Sequence, residues 1–255
     1  MVIPDVLNKV SRSASACAIP STVSVPGICP WKILTERLGN FRLDYDGTSF
    51  FQANPGQAEQ LFAYAASLVE GQNLLELYCG VGALTAFLSR KAKTIRAVEV
   101  WPSAVALARE NGEFNRIEGL TVVQGAAENV VVPADLEGID CVVVDPPRAG
   151  CDKSLIQTIA ASRVPRVLYI SCNPATLARD AVLLRDAGYA LDMDSLKVFD
   201  MFPQTSHVEA VVLLSYKTPD SHIHVKVEFG EGKGKIPIDK IAKRAEKYKP
   251  KEKVT

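Results

Sequence analysis

RVLYISCNPATL, residues 166–177, reads as a buried strand that runs straight into a helix. Val167, Leu168, Tyr169 and Ile170 form a short apolar run of β-branched and aromatic side chains. Asn173 is a favoured N-cap, and Pro174 suits the first helical turn, where no backbone N–H is needed. ATLARDAVLLRDAG then continues as helix. Cys172 therefore falls at the carboxyl end of a strand and the amino end of a helix, the edge where open α/β sheets bind ligands. Unpaired N–H groups and the helix dipole lower a thiol pKa at such a position, which predicts an available thiolate. A buried, inert thiol is the commoner fate of a free cysteine, so the neighbouring motifs carry the decision.

Outward from this stretch, the chain alternates strands and helices from Asn73 onward. Upstream lie the strand NLLELY, the helix ALTAFLSRKA, the strand TIRAVEV, the helix SAVALARENGEFN, the strands LTVVQG and IDCVVVDPPRAG, and the helix KSLIQTIAAS. Downstream, LDMDSLKVFDMFP and HVEAVVLLSY read as two consecutive strands. The pattern predicts an α/β fold: a doubly wound, mostly parallel, Rossmann-like sheet that ends in an antiparallel strand pair. Before it, ILTERLGNFRLDYDG has a hairpin pattern around Gly39-Asn40, TSFFQAN is a loop, and GQAEQLFAYAASLVEG is a helix. The expected organisation is a poorly ordered segment over 1–30, a fragment of a preceding β domain with an entry loop over 31–55, the catalytic domain over 56–216 and a basic extension over 217–255.

Composition narrows the class. The 255 residues are 47% hydrophobic with a formal net charge of zero, enough for one full core and no polycation. The balance is uneven, because from Lys217 onward 11 Lys and Arg face 6 Asp and Glu. The six cysteines, at 17, 29, 79, 141, 151 and 172, show no CxxC or Cys/His spacing, which predicts no metal or cluster site and a reducing compartment. No run reaches membrane-span length, and no apolar core of signal-peptide length precedes Ala14-Ser15-Ala16. The expectation is a cytoplasmic monomer without membrane contact.

Three further motifs gather at the same sheet edge. Tyr78-Cys79-Gly80-Val81-Gly82 is a Gly-rich turn between strand and helix, where a ligand can approach the backbone closely. Thr85 stands where the dinucleotide fingerprint requires a third glycine, which disfavours NAD and FAD. Glu99 ends the second strand of the sheet, where a carboxylate meets ribose hydroxyls, and so points to a nucleoside cofactor. Asp145-Pro146-Pro147-Arg148 ends the fourth strand, with prolines that stiffen the turn and aim Asp145. His207 and Glu209 share a face of the last strand. Each alone has a bland explanation: a solvated strand end, a plain turn, a surface strand start.

In order, SFFQAN, LELYCGVG, VEV, DPPRAG, YISCNPATLARD and HVEAVVLLSY resemble the catalytic domain of the S-adenosylmethionine-dependent RNA 5-methyluridine methyltransferases, from about Leu34 to Tyr216. The resemblance implies S-adenosyl-L-methionine as cofactor and an RNA substrate, ribosomal RNA ahead of transfer RNA. It makes Cys172 the nucleophile and Glu209 the general base; the residues by themselves offer His207 as the alternative base. It assigns Gln52, Tyr78, Glu99 and Asp145 to the cofactor, beside Gly80 and Gly82 of the turn. Phe50 or Phe51 would supply an aromatic face for an unstacked uracil. Full-length members usually carry an N-terminal oligonucleotide-binding-type domain and a longer central domain, so the chain is expected to be an N-terminally truncated member. Ala83 stands where some relatives have Asn.

Other classes remain open on the residues alone. A cytosine-5 methyltransferase also needs a cysteine, and Cys151 is the rival to Cys172. An amino-group methyltransferase typically has an aromatic residue after Pro-Pro, where Arg148 stands. A non-catalytic cofactor- or RNA-binding module is the non-enzyme alternative. The basic extension gives the first prediction: removal of residues 217–255 lowers RNA affinity at low salt and flattens its salt dependence, measured by fluorescence anisotropy across a salt series. Unchanged affinity at low salt would refute a role for the extension.

Overall fold

The computed structural model describes residues 32–205 and 208–217. The expected segment 1–30, the expected extension 217–255 apart from Lys217, and His207 lie outside the described residues. A hairpin comes first, β1 (Leu34–Leu38) and β2 (Phe41–Tyr45), paired antiparallel with Leu38 opposite Phe41. Gly39 supplies the positive φ, +55°, of its two-residue turn. Helix α1 (Pro55–Leu68) follows, opened by Asn54, whose side chain accepts from the Gln57 N–H, with proline in its first turn.

The main sheet then builds as β3 (Asn73–Leu77), α2 (Ala83–Leu88), β4 (Thr94–Glu99), α3 (Pro102–Phe114), β5 (Leu120–Gln124), short α4 (Ala127–Val130), β6 (Cys141–Val144), α5 (Lys153–Ser162), β7 (Arg166–Ser171), α6 (Pro174–Asp186), β8 (Tyr189–Phe199) and β9 (Glu209–Tyr216). The sequence pattern contained each of these except α4. The spatial order is β5-β4-β3-β6-β7-β9-β8, parallel up to β7. The chain winds away from β3 in both directions, so a crevice opens beyond the carboxyl ends of β3 and β6.

The last two strands pair as expected, but the final one does not lie at the edge. β9 sits between β7 and β8, antiparallel to both. Burial explains the order. EAVV and LL of β9 are buried at every position, whereas β8 exposes Asp192, Asp194 and Lys197. A strand apolar on both faces needs neighbours on both sides, while a charged one tolerates an edge. The ladder slips between Asp192 and Lys197, and there the Ser195 hydroxyl accepts from the Leu213 N–H at 2.9 Å, which satisfies the backbone at the irregularity.

Period-two alternation splits the core into two layers. Leu74, Ala97, Val143, Ile170 and Val211 pack with α1 and α2 on one face. Leu75, Val98, Val144, Tyr169 and Val212 pack with α5 and α6 on the other.

The hairpin is joined to this body by two asparagines one helical turn apart, Asn111 on α3 and Asn115 at its C-cap. Asn111 accepts from the Asp44 N–H at 2.8 Å and donates to the carbonyls of Asp44 and Val81, each at 2.9 Å. Asn115 accepts from the Arg42 N–H at 3.1 Å and donates to its carbonyl at 2.7 Å. Two side-chain amides thus pair with alternate residues of β2 as a neighbouring strand would. Asn111 also reaches the Gly-rich turn through Val81. Asn111→Leu is expected to destabilise the fold by about 1–3 kcal/mol, since it leaves buried backbone groups unpaired; thermal or urea denaturation checks this.

Candidate active site

The loop into the site is tied at Asp46. Its Oδ1 accepts from the N–H and hydroxyl of Thr48, at 2.9 and 2.8 Å, and of Ser49, at 2.7 and 2.8 Å. Phe51 stacks on Tyr45 with centroids 4.4 Å apart and planes 10° from parallel, and packs against the core. Phe50 instead stays 73% exposed at the mouth of the crevice. Between these anchors Gln52 turns inward. It is buried, and its Oε1 has no hydrogen-bond partner among the described residues. A buried acceptor left without a donor costs free energy unless a ligand supplies one.

The Gly-rich turn forms the floor. Tyr78, Gly80 and Gly82 all have positive φ, at +65°, +55° and +83°. A Cβ on Gly80 would meet nothing within 4 Å, so this glycine serves backbone conformation and faces open space. Gly82 differs: it caps α2 and faces Ala108 of α3 at 3.5 Å, a packing role away from the cavity wall. Glu99 holds the turn in place. Its Oε2 accepts from the Gly80 N–H at 2.9 Å, and its Oε1 from the N–H groups of Val100 and Trp101 at 2.8 and 2.9 Å. The carboxylate therefore fixes the glycine and the start of α3 before any ligand arrives, with acceptor capacity to spare.

One cavity of ≈ 630 Å³ is lined by Gln52, Tyr78, Gly80, Glu99, Asp145, Cys172 and Glu209, together with Phe50, Trp101 and Arg148. Every expected site residue within the described part of the chain, Gly82 apart, meets there. The β7–β9 ladder ends with Ser171 opposite Ala210, so Cys172 and Glu209, the next residues along each strand, leave it at the same end, and both line this cavity. Cys151, the rival thiol, lines a neighbouring cavity of ≈ 520 Å³ instead. Burial pushes its thiol up to about 12, and its N–H is held by Asp180 Oδ2 at 2.9 Å.

Electrostatics correct one expectation. The Cys172 thiol is raised above its ordinary pKa. Burial is the largest cause, followed by the carboxyls of Glu209 and Asp145, and these outweigh the downward pull of Arg148 and the backbone. The helix start is present, with Asn173 Oδ1 accepting from the Ala175 N–H, but it does not dominate. Asp145 is pushed up to about 7 by burial, and Glu209 likewise to about 7 by burial and then by Asp145.

Glu76 was not foreseen. It stands mid-strand in β3, 2% exposed, is pushed up to about 8 chiefly by burial, and its Oε2 lacks a partner among the described residues. A small cavity of ≈ 50 Å³ joins it to Gln52, Gly80 and Asp145. The signal was a lone carboxylate inside the apolar run NLLEL. Trp101, 70% exposed at the rim, and Phe202 were also unassigned by the sequence.

A family model described as tRNA (uracil-5-)-methyltransferase matches residues 35–217. The chain belongs to that family. Within it, an uncharacterised RNA methyltransferase of Listeria innocua is 40% identical over 190 residues, 72% of this chain and 42% of the relative. One of Staphylococcus aureus is 42% identical over 189 residues, again 72% of this chain and 41% of the relative. The chain thus spans about two fifths of the length of these members. Among solved structures, the Pyrococcus abyssi tRNA (uracil-54, C5)-methyltransferase, in complex with S-adenosyl-L-homocysteine, superposes with a TM-score of 0.65 at 34% identity, over 71% of this chain and 44% of that one. Trm5b of the same organism, at 13% identity and a TM-score of 0.54, shares the fold alone and covers 72% of this chain and 55% of its own.

The raised carboxyl of Glu209 carries a stability consequence. Folding favours its protonated form, so the penalty is absent below about pH 4.5 and fully present above about pH 7. Glu209→Gln is therefore expected to raise the melting temperature at pH 8 and to change it little at pH 4.5. A lower melting temperature at pH 8 would mean that an attraction holds the carboxylate instead.

Proposed function

We propose that the chain transfers a methyl group from S-adenosyl-L-methionine to carbon 5 of a uridine in RNA, with Cys172 as nucleophile and Glu209 as general base. The observation that carries this is the meeting of Cys172 and Glu209 in one cavity, at the end of the β7–β9 ladder and beside the Gly80 turn. The residues fit the cofactor. Gly80 faces open space, the buried Gln52 Oε1 lacks a donor among the described residues, and Glu99 stands at the end of β4 with an acceptor site remaining. Gln52, Tyr78, Glu99 and Asp145 would hold it. The names of the family model and of the Pyrococcus relative support transfer RNA as the substrate, against the ribosomal RNA expected from the sequence.

Carbon 5 of uracil is a weak nucleophile. Addition of the Cys172 thiolate to carbon 6 moves the ring electrons toward O4 and makes carbon 5 electron-rich, which divides one difficult step into easier ones. The cofactor supplies an electrophilic sulfonium methyl group. Once carbon 5 is methylated, the Glu209 carboxylate takes its proton, the double bond re-forms, and the carbon–sulfur bond breaks to return the thiolate. A carboxyl with a pKa of about 7 suits that step, because it is a stronger base than a solvated one. The uracil must leave its stack, and the exposed ring of Phe50, unlike the packed Phe51, is available to receive it.

The two residues fail differently. Cys172→Ala is expected to abolish both 5-methyluridine and any covalent RNA complex. Glu209→Gln is expected to stall after methylation and leave an RNA–protein adduct on denaturing electrophoresis. Formation of 5-methyluridine by Cys172→Ala, read by nucleoside mass spectrometry, would overturn the nucleophile assignment. Wild-type turnover by Glu209→Gln would move the base elsewhere.

A further inference from the structure

The wall that holds Cys172 is acidic. The ≈ 630 Å³ cavity is lined by Glu99, Glu128, Asp145 and Glu209, and Arg148 is the one cation among its described lining residues. Cys172 shares this cavity with two carboxyls, Glu209 on β9 and Asp145 at the end of β6, and with the Arg148 guanidinium. That guanidinium forms no ion pair among the described residues.

The loop that carries Arg148 is fastened to α6, the helix that begins just after Cys172. Asn173 Nδ2 donates to the Arg148 carbonyl at 3.0 Å, and Thr176 Oγ1 does so at 3.4 Å. Gly150 closes the turn by donating to the Pro147 carbonyl at 2.8 Å. The next residue, Cys151, donates its N–H to the buried Asp180 and receives at its carbonyl a bond from Arg179 at 3.1 Å. A Cβ on Gly150, whose φ is +77°, would lie 2.8 Å from Asp180 Oδ2. Glycine is therefore required for this close approach. Asn173 thus has two tasks, capping the helix and pinning the Arg148 backbone. The arginine backbone and the cysteine are tied to the same first turn of α6.

We propose that Arg148 is the electrostatic partner of Cys172, a positioning residue whose guanidinium works against the carboxylates of Glu209 and Asp145 and shifts the thiol toward its reactive, ionised form. This rests on the methyltransferase reading only for the identity of what the thiolate attacks. Opposite charge within a few ångströms favours an ionised group, and a low-dielectric wall strengthens the effect. Lysine at this place would keep the charge but lose the planar fork.

The test is the pH profile of Cys172 alkylation by iodoacetamide in the full chain, located by peptide mass spectrometry, because alkylation needs neither RNA nor methyl donor. Removal of the charge in Arg148→Gln is expected to raise the midpoint by about 1 pH unit or more, with Arg148→Lys restoring most of it. Removal of an opposing carboxylate in Glu209→Gln should lower the midpoint. Arg148 is exposed, so the glutamine variant leaves the core untouched. A midpoint in Arg148→Gln at or below that of the unaltered protein, or equal in the Lys and Gln variants, would overturn the proposal. Absence of 5-methyluridine from unaltered protein would count against the methyltransferase reading and leave this profile interpretable.

Discussion

The arrangement depends on the antiparallel insertion of β9 between β7 and β8. In a purely parallel sheet, the edge beyond β7 carries only strand ends and helix starts. The reversed strand instead delivers its first residue to that edge. Because Ser171 pairs with Ala210, Glu209 enters β9 at the end of the ladder where Cys172 leaves β7, and both line the cavity. A register slip of one residue would turn Glu209 to the other face of the sheet. The Ser195 hydroxyl, which accepts from the Leu213 N–H, ties β9 to β8 at the point where that ladder is irregular.

The same period-two rule gathers the rest of the site. Leu74, Ala97, Val143, Ile170 and Val211 all face the α1–α2 layer. Two residues onward, or two back in the reversed β9, stand Glu76, Glu99, Asp145, Cys172 and Glu209. Five strands therefore bring a polar residue to one end of the sheet, and the loop tied by Asp46 brings Gln52 beside Glu76 and Asp145. Side chains that would be solvated at isolated strand ends become neighbours, and shared burial raises the pKa of Glu76, Asp145 and Glu209 together.

That shared burial sets stability against chemistry. Each raised carboxyl is a group the fold would hold more easily if it were neutral. The cluster persists because well-packed layers on both faces of the sheet offset it, and because Glu99 accepts three backbone N–H bonds and so fixes the loops around it. The thiol is held against the same background, which is why a helix start alone does not determine its ionisation.

Strand–helix alternation, the Asn-Pro helix start and the Gly-rich turn were legible in the sequence, because local rules of periodicity, capping and backbone freedom govern them. The family motifs named Gln52, Tyr78, Gly80, Glu99, Asp145, Cys172 and Glu209, and these converge on one cavity. The interior place of β9, the pairing of Asn111 and Asn115 with the hairpin and the separation of Phe50 from Phe51 were not legible, since each rests on contacts between residues far apart in the chain. Thiol ionisation was misread for the same reason. A helix start is a local feature, whereas burial and the charges of Glu209, Asp145 and Arg148 come from separate elements that only the folded sheet brings together.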